Sequence, residues 1–143
     1  MAWLYKLADL VRDHGRRRFW TGSQASGRRG EDIAHRFLRK RGMTIVARNY
    51  RPPFGGADLD LVGWQGDLLV IVEVKSRSSA EAERPERAVD ADKERLLERS
   101  ARDYVRRAGA DWNRVRFDIV SVVFTEPPQI EWFADAFEPR RTL

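Results

Sequence analysis

Five consecutive apolar residues, Leu68-Leu69-Val70-Ile71-Val72, run directly into Glu73-Val74-Lys75. No other feature constrains the fold as much. A strand that is apolar on both faces belongs buried in the middle of a sheet, and charge at its end is costly unless it binds something. Upstream, Asp58-Leu59-Asp60 leads into Leu61-Val62-Gly63-Trp64, and Gln65-Gly66 offers a turn, so residues 58–75 read as one β-hairpin. Side chains alternate faces along a strand, so Asp58 and Asp60 share a face, as do Glu73 and Lys75. A turn centred on Gln65-Gly66 sets Asp58 directly opposite Glu73, with Asp60 the diagonal neighbour at roughly 7–8 Å. Leu59, Leu61, Val72 and Val74 then point to the other face, into the core. A slip of one residue would invert every side chain on one strand. One patch of sheet thus carries three carboxylates and an ammonium. Their repulsion is relieved by a hard divalent cation such as Mg²⁺, which takes one or two carboxylates plus water and phosphate oxygens. The alternative is a solvated hairpin face, with Lys75 in a surface ion pair of little energetic worth; it fits poorly with so apolar a strand.

The 143 residues, 42% of them hydrophobic, suffice for one compact domain with one core. No apolar stretch approaches the roughly 18 residues that span a bilayer. The first eleven residues include Lys6 and Asp9 and lack a continuous apolar core, so no secretory signal is expected there; a cytoplasmic protein is expected. Cysteine is absent, which excludes disulfides, a cysteine nucleophile and cysteine-ligated metals. His14 and His35 lack metal-ligand spacing and read as surface residues. The net charge is +5, and lysine occurs only at 6, 40, 75 and 93, every other basic residue being arginine. Arginine matches phosphate oxygens with a planar fork, so the balance points to a polyanion such as nucleic acid. A coding bias toward arginine and alanine explains it equally well.

Apolar spacing predicts an amphipathic helix over residues 1 to about 13, then a linker with the basic run Arg16-Arg17-Arg18. A second helix is expected from about Ser26 to Arg41, with Ile33, Ala34, Phe37, Leu38 and Arg41 as its buried stripe and Gly42 as its stop. A strand follows over Met43–Tyr50, then Phe54-Gly55-Gly56-Ala57 as a tight approach to the hairpin. Residues 76–87 read as a mobile loop. A third helix spans about Val89–Ala108 and stops at Gly109, its stripe being Leu97, Ala101, Tyr104, Val105 and Ala108. Strands are expected at Val115–Phe124 and Gln129–Phe133. The order suits an α/β fold, a mixed central sheet flanked by helices with one helix added at the N-terminus. The five scattered tryptophans, at 3, 20, 64, 112 and 132, suit packing better than a base-stacking platform. No phosphate-binding Gly-rich loop and no Gly-x-Ser-x-Gly elbow is present.

The Asp60…Glu73-Val74-Lys75 pattern resembles the PD-(D/E)xK signature of the restriction-endonuclease-like superfamily. Residues 26–137 resemble the YraN family of bacterial proteins, itself considered similar to archaeal Holliday-junction resolvases. The matching pieces are Gly30-Glu31 with Ala34 and Leu38, Arg48-Asn49-Tyr50, Asp58-Leu59-Asp60-Leu61-Val62, Val72-Glu73-Val74-Lys75 with Arg77, Lys93, Arg116-Phe117-Asp118, and Ala136-Phe137. The resemblance implies a restriction-endonuclease-like domain over 26–143. It makes Asp60 and Glu73 metal ligands, Lys75 the catalytic lysine and Glu31 an additional acid. Asp58 stands where the family usually has Glu, so its reach is shorter by one methylene. The first 25 residues have no recognised counterpart in the family pattern.

The implied function is a Mg²⁺- or Mn²⁺-dependent nuclease acting on DNA, branched DNA among the candidate forms. The alternatives are a nucleic-acid-binding module with little or no hydrolysis, and a protein adaptor using the N-terminal helix and Trp3. Glu31 suits a carboxylate near a helix N-terminus as well as a catalytic acid. Lys93 suits a helix-surface lysine as well as a phosphate contact, and Arg77 and Arg116 suit surface salt bridges as well as DNA contacts. Oligomeric state stays open, with a homodimer one option.

Overall fold

A computed structural model of the chain describes residues 23–79 and 91–139. The expected helix over 1–13, the basic run at 16–18, Trp3, Trp20 and most of the expected loop at 76–87 lie outside the described residues. Within them the order is α1 (Ser23–Lys40), β1 (Thr44–Tyr50), β2 (Leu59–Gln65), β3 (Leu68–Arg77), α2 (Ala91–Ala108), a 3₁₀ turn (Trp112–Arg114), β4 (Val115–Val123) and β5 (Gln129–Phe137). The strands form one five-stranded sheet in the order β1-β2-β3-β4-β5. Only β3 and β4 are parallel; every other pair is antiparallel. A parallel pair needs a crossover, and α2 supplies it. This is the expected mixed α/β architecture, consistent with a restriction-endonuclease-like fold.

The doubly apolar strand β3 is central, with residues 69–77 all buried. Its even-numbered residues Val70, Val72 and Val74 join Ala34, Leu38, Met43 and Leu61 under α1. Its odd-numbered Leu69 and Ile71 join Leu97, Ala101, Val105, Phe117 and Ile119 under α2. Both helices stop at the expected glycines. Gly42 (φ +92) and Gly109 (φ +67) adopt the left-handed conformation. The amides of Met43 and Ala110 bond back to Leu38 and Val105, and those of Gly42 and Gly109 to Arg39 and Arg106. That pair of bonds satisfies carbonyls the helix end would otherwise orphan.

Several expectations need correction. The hairpin pairs Gln65 with Leu68 and Leu61 with Val72, so the turn is Gly66-Asp67, with Gly66 at φ +60. A glycine leading a two-residue turn matches the twist of the flanking strands. Moving the turn by one residue moves the register by two, which preserves the faces but changes the partners: the continuation sets Asp60, not Asp58, against Glu73. Leu59 packs in the α2-side cluster rather than with Leu61. The pairing of β2 with β3 ends at Leu61–Val72, while β2 still pairs with β1 at Leu59–Tyr50, so β2 leaves the hairpin there and its alternation breaks. Ser76 and Arg77 belong to β3 rather than to a loop. Arg41 and Ala108 are exposed instead of buried. Strand β5 runs on to Phe137, past a bulge opposite Phe117 and Ile119.

Candidate active site

Asp60 stands where β2 parts from β3. Its Oδ2 accepts the Val74 N–H at 2.9 Å, so a side chain takes over one position of the backbone ladder and brings a carboxylate within one residue of Glu73. Along β3, Glu73, Lys75 and Arg77 alternate with the valines and share the face covered by α2. In register beside Lys75 on β4 is Ser121, also buried. Relative exposure is 0% for Asp60, 2% for Glu73, 1% for Lys75 and 7% for Arg77. Two acids and two bases are thus sequestered at one end of the central strand, where charge is costly unless paired or bound to an ion.

Glu31 approaches from the other layer. Gly30 makes this possible: a Cβ there would lie 1.7 Å from the Ser76 Oγ, so only glycine lets α1 lie this close to the Lys75–Arg77 end of β3. Glu31 is buried, with Oε2 3.8 Å from the Arg48 guanidinium, which also contacts Asp32 at 2.7 Å. Because α1 begins at Ser23, its first turn holds no acid. Glu31 lies in the third turn, and the reading of it as a helix N-terminal carboxylate is corrected, since that interaction fades beyond the first turn. His35, half-buried on the same helix, is held below its usual range by burial and by Arg48 and Arg39.

The other expected site residues are placed differently. Asp58 forks with Arg51, Nε to Oδ1 at 2.9 Å and a terminal nitrogen to Oδ2 at 3.0 Å. Among the described residues no group of three or more His, Asp or Glu side chains is arranged to hold a metal ion; the three-carboxylate patch resolves into Asp60 with Glu73. No sequence signal marks Arg51 as the partner of Asp58. Arg116 is turned inward. It bonds both oxygens of fully buried Asp118 at 2.8 Å and reaches Gln65 at 2.6 Å. Its register partner on β3 is Val70, at the strand's opposite end from Arg77, so Arg116 is not brought to the site. The Asp118 hydrogen bond holds its guanidinium above the usual range. Asp118 also accepts the Trp132 indole N–H at 2.8 Å and the Asp135 amide at 3.0 Å, fastening the β5 bulge, where Asp135 has φ +55. Lys93 is half-buried near the start of α2, the helix covering the Glu73 face.

Two carboxylates, Asp60 and Glu73, form a donor set that suits Mg²⁺ or Mn²⁺, whose remaining positions go to water and phosphate oxygens. Lys75 offers only hydrogen-bond donors and is not a ligand. Among the described residues no helix is long and apolar enough to cross a membrane.

Fold and site together define a small α/β protein, its mixed five-stranded sheet consistent with a restriction-endonuclease-like fold, with acids and a lysine buried at one end of its central strand. The model of Uncharacterised protein family UPF0102 matches residues 30–122, and the chain belongs to this family, the one called YraN above. A UPF0102 protein of Solibacter usitatus is 54% identical over 134 residues, 94% of this chain and 97% of that protein. Those of Rhodococcus jostii and Dictyoglomus thermophilum are 43% and 35% identical, covering 79% and 78% of this chain and 96% and 95% of their own. The Solibacter alignment is longer than the stretch from residue 26 to the C-terminus, so that relative shares part of the N-terminal segment that the family model leaves out.

Proposed function

We propose that this protein is a divalent-metal-dependent nuclease that hydrolyses phosphodiester bonds in DNA, branched forms included. One observation carries the reading: Asp60, Glu73 and Lys75 are drawn together and buried where β2 leaves β3. Asp60 and Glu73 would hold Mg²⁺ or Mn²⁺. The bound ion supplies charge neutralisation at the phosphate oxygens and a more acidic water. Lys75 places an ammonium two residues from Glu73 on the same face, where it stabilises charge developing in the transition state or orients the attacking water. Arg77, next in that row, has the fork that matches a phosphate. The family resemblance makes Glu31 the additional acid; its neighbour Gly30 packs against Ser76 of β3, and its own carboxylate lies 3.8 Å from Arg48. A nuclease acting on the cell's own DNA would work in the cytoplasm.

A second reading, a nucleic-acid-binding module with little or no hydrolysis, is favoured by the depth of the cluster. Side chains exposed by 2% or less meet a phosphodiester only after local opening. Cleavage of linear, single-stranded, flapped and four-way DNA with Mg²⁺ or Mn²⁺ separates the two. Under the nuclease reading, Glu73→Gln abolishes metal binding. Lys75→Ala keeps the metal yet lowers kcat at least about a hundredfold with little change in KM. If the wild-type protein binds metal and DNA, cleaves no form, and Lys75→Ala weakens binding alone, the protein is a binding module.

A further inference from the structure

The loop leading to the proposed metal ligands carries an aromatic ring in the open. Phe54 is 48% exposed, and only Val46 and Leu96 join it as exposed large hydrophobics among the described residues. The loop around it is fixed. Pro52 is buried, and the Gly55 amide donates to the Pro52 carbonyl at 3.1 Å. Gly55 and Gly56 take φ of +82 and +107, a turn that other residues adopt only with strain. A Cβ on Gly56 would sit 3.3 Å from the Ser100 Oγ and 3.7 Å from the Phe54 ring. Ser100, buried on α2, donates its hydroxyl to the Ala57 carbonyl at 2.6 Å. On the far side of the loop, Arg51 grips Asp58 through both carboxylate oxygens. The ring is therefore held out on a loop that is bonded on both sides. One face carries the Arg99 guanidinium, 4.7 Å from the ring centroid.

We infer that Phe54, backed by Arg99, is a stacking platform for an unpaired base of the DNA substrate. The inference rests on the DNA reading above and names the form of DNA the site takes. Within a duplex each base already has both faces covered by its neighbours, so an exposed ring can stack only where a base is unstacked: at a flap, a branch or a single strand. Arg99 lies against the ring and is exposed, a guanidinium that suits a phosphate-linked partner; Arg51, three residues back in the loop, is exposed but already paired with Asp58. The distance also suits the chemistry. Phe54 is six residues from Asp60, so the two Cα atoms are no more than about 20 Å apart, a span of a few nucleotides. Stacking uses the π-face common to all bases, so the platform selects DNA form without selecting sequence.

The test is binding of the full-length protein, in EDTA so that nothing is cleaved, to two DNAs. One is a duplex closed by hairpins at both ends; the other is the same duplex with a 5′ flap carrying 2-aminopurine at its first unpaired position. The wild-type protein is expected to prefer the flapped DNA and to quench the 2-aminopurine. Phe54→Ala should lose about tenfold in affinity for the flapped DNA, the size of one base–aromatic stack. It should also lose the quenching while binding the closed duplex as before, and Phe54→Trp should restore both. Phe54→Leu keeps the apolar bulk without the flat face, so it should behave as Phe54→Ala does and serves in its place should the alanine variant fold poorly. Equal flap affinity in Phe54→Ala, or equal losses on both DNAs, overturns the platform while leaving the DNA reading intact. Failure of the wild-type protein to bind either DNA overturns both. Wild-type-like flap binding by Phe54→Leu shows an apolar contact and also overturns the platform.

Discussion

Single atoms decide where the charged groups of this protein go. At Gly30 the decisive atom is a missing one. Gly30→Ala would gain helix propensity but drive its methyl into Ser76. Overpacking of this kind costs about 1–3 kcal/mol, so chemical denaturation should show net destabilisation. Ser76→Gly should relieve most of it in the double mutant. At Tyr50 the decisive atom is a proton. Its hydroxyl donates to buried Asp103, which also accepts from Arg106 at 2.7 Å and Arg107 at 3.0 Å. The Tyr50 hydrogen bond, aided by the arginines and opposed by burial, holds the Asp103 carboxyl below its usual range. Burial and Asp103 together push the Tyr50 phenol up. A lowered acid stabilises the fold above the ordinary carboxylate range, and that stabilisation is lost as pH falls through the folded value. A raised phenol stabilises the fold below its ordinary range near 10, and that is lost as pH climbs. Tyr50→Phe should therefore lower Tm most at neutral pH, with the gap to wild type closing toward pH 3 and again above pH 10. A gap independent of pH would detach Tyr50 from Asp103.

At the scale of elements, the sequence was most legible where one signal dominated. The apolar run of β3, the helical stripes and the two glycine stops all name their elements. Register was harder, because Gln65-Gly66 and Gly66-Asp67 are both plausible turns and differ by two positions in partner while keeping every face. The face of Leu59 was invisible, since nothing in its neighbours marks the point where β2 leaves β3. The strand pattern set Asp58 opposite Glu73, and only the family signature singled out Asp60 with Glu73; the withdrawal of Asp58 into a fork with Arg51 depends on how an irregular loop folds. Arg116-Phe117-Asp118 was legible as a motif, but its inward role was not, since two of the groups that Asp118 binds lie on β5, Trp132 just before a bulge and Asp135 within it. Removing one partner of a buried ion pair leaves an uncompensated charge. Asp118→Ala should thus destabilise by about 3 kcal/mol or more and release the Trp132 indole, visible as a shift in its fluorescence. Retention of wild-type stability would mean the bulge holds without it.

For the molecule as a whole, the site is local in sequence but assembled late in space. Asp60, Glu73 and Lys75 lie just past the paired residues of one hairpin, whose two-residue turn costs little to close. The sheet is completed only when Leu69 meets Val115 and Ile71 meets Phe117, pairings that wait for α2 to cross over. Contacts so distant in sequence slow folding. An isolated hairpin would leave its acids in water with no reason to retain an ion. The ion should therefore become bound only after the barrier has been crossed, and an interaction absent from the transition state acts on the return journey. Stopped-flow refolding and unfolding in Mg²⁺ should show an unchanged folding limb and a slower unfolding limb, with Glu73→Gln indifferent to the ion on both. Faster refolding would mean that the hairpin captures the ion before the sheet exists. The parallel pair at the centre of the sheet would thus make the metal a brake on unfolding, so that a loaded molecule outlives an empty one without ever having folded any faster.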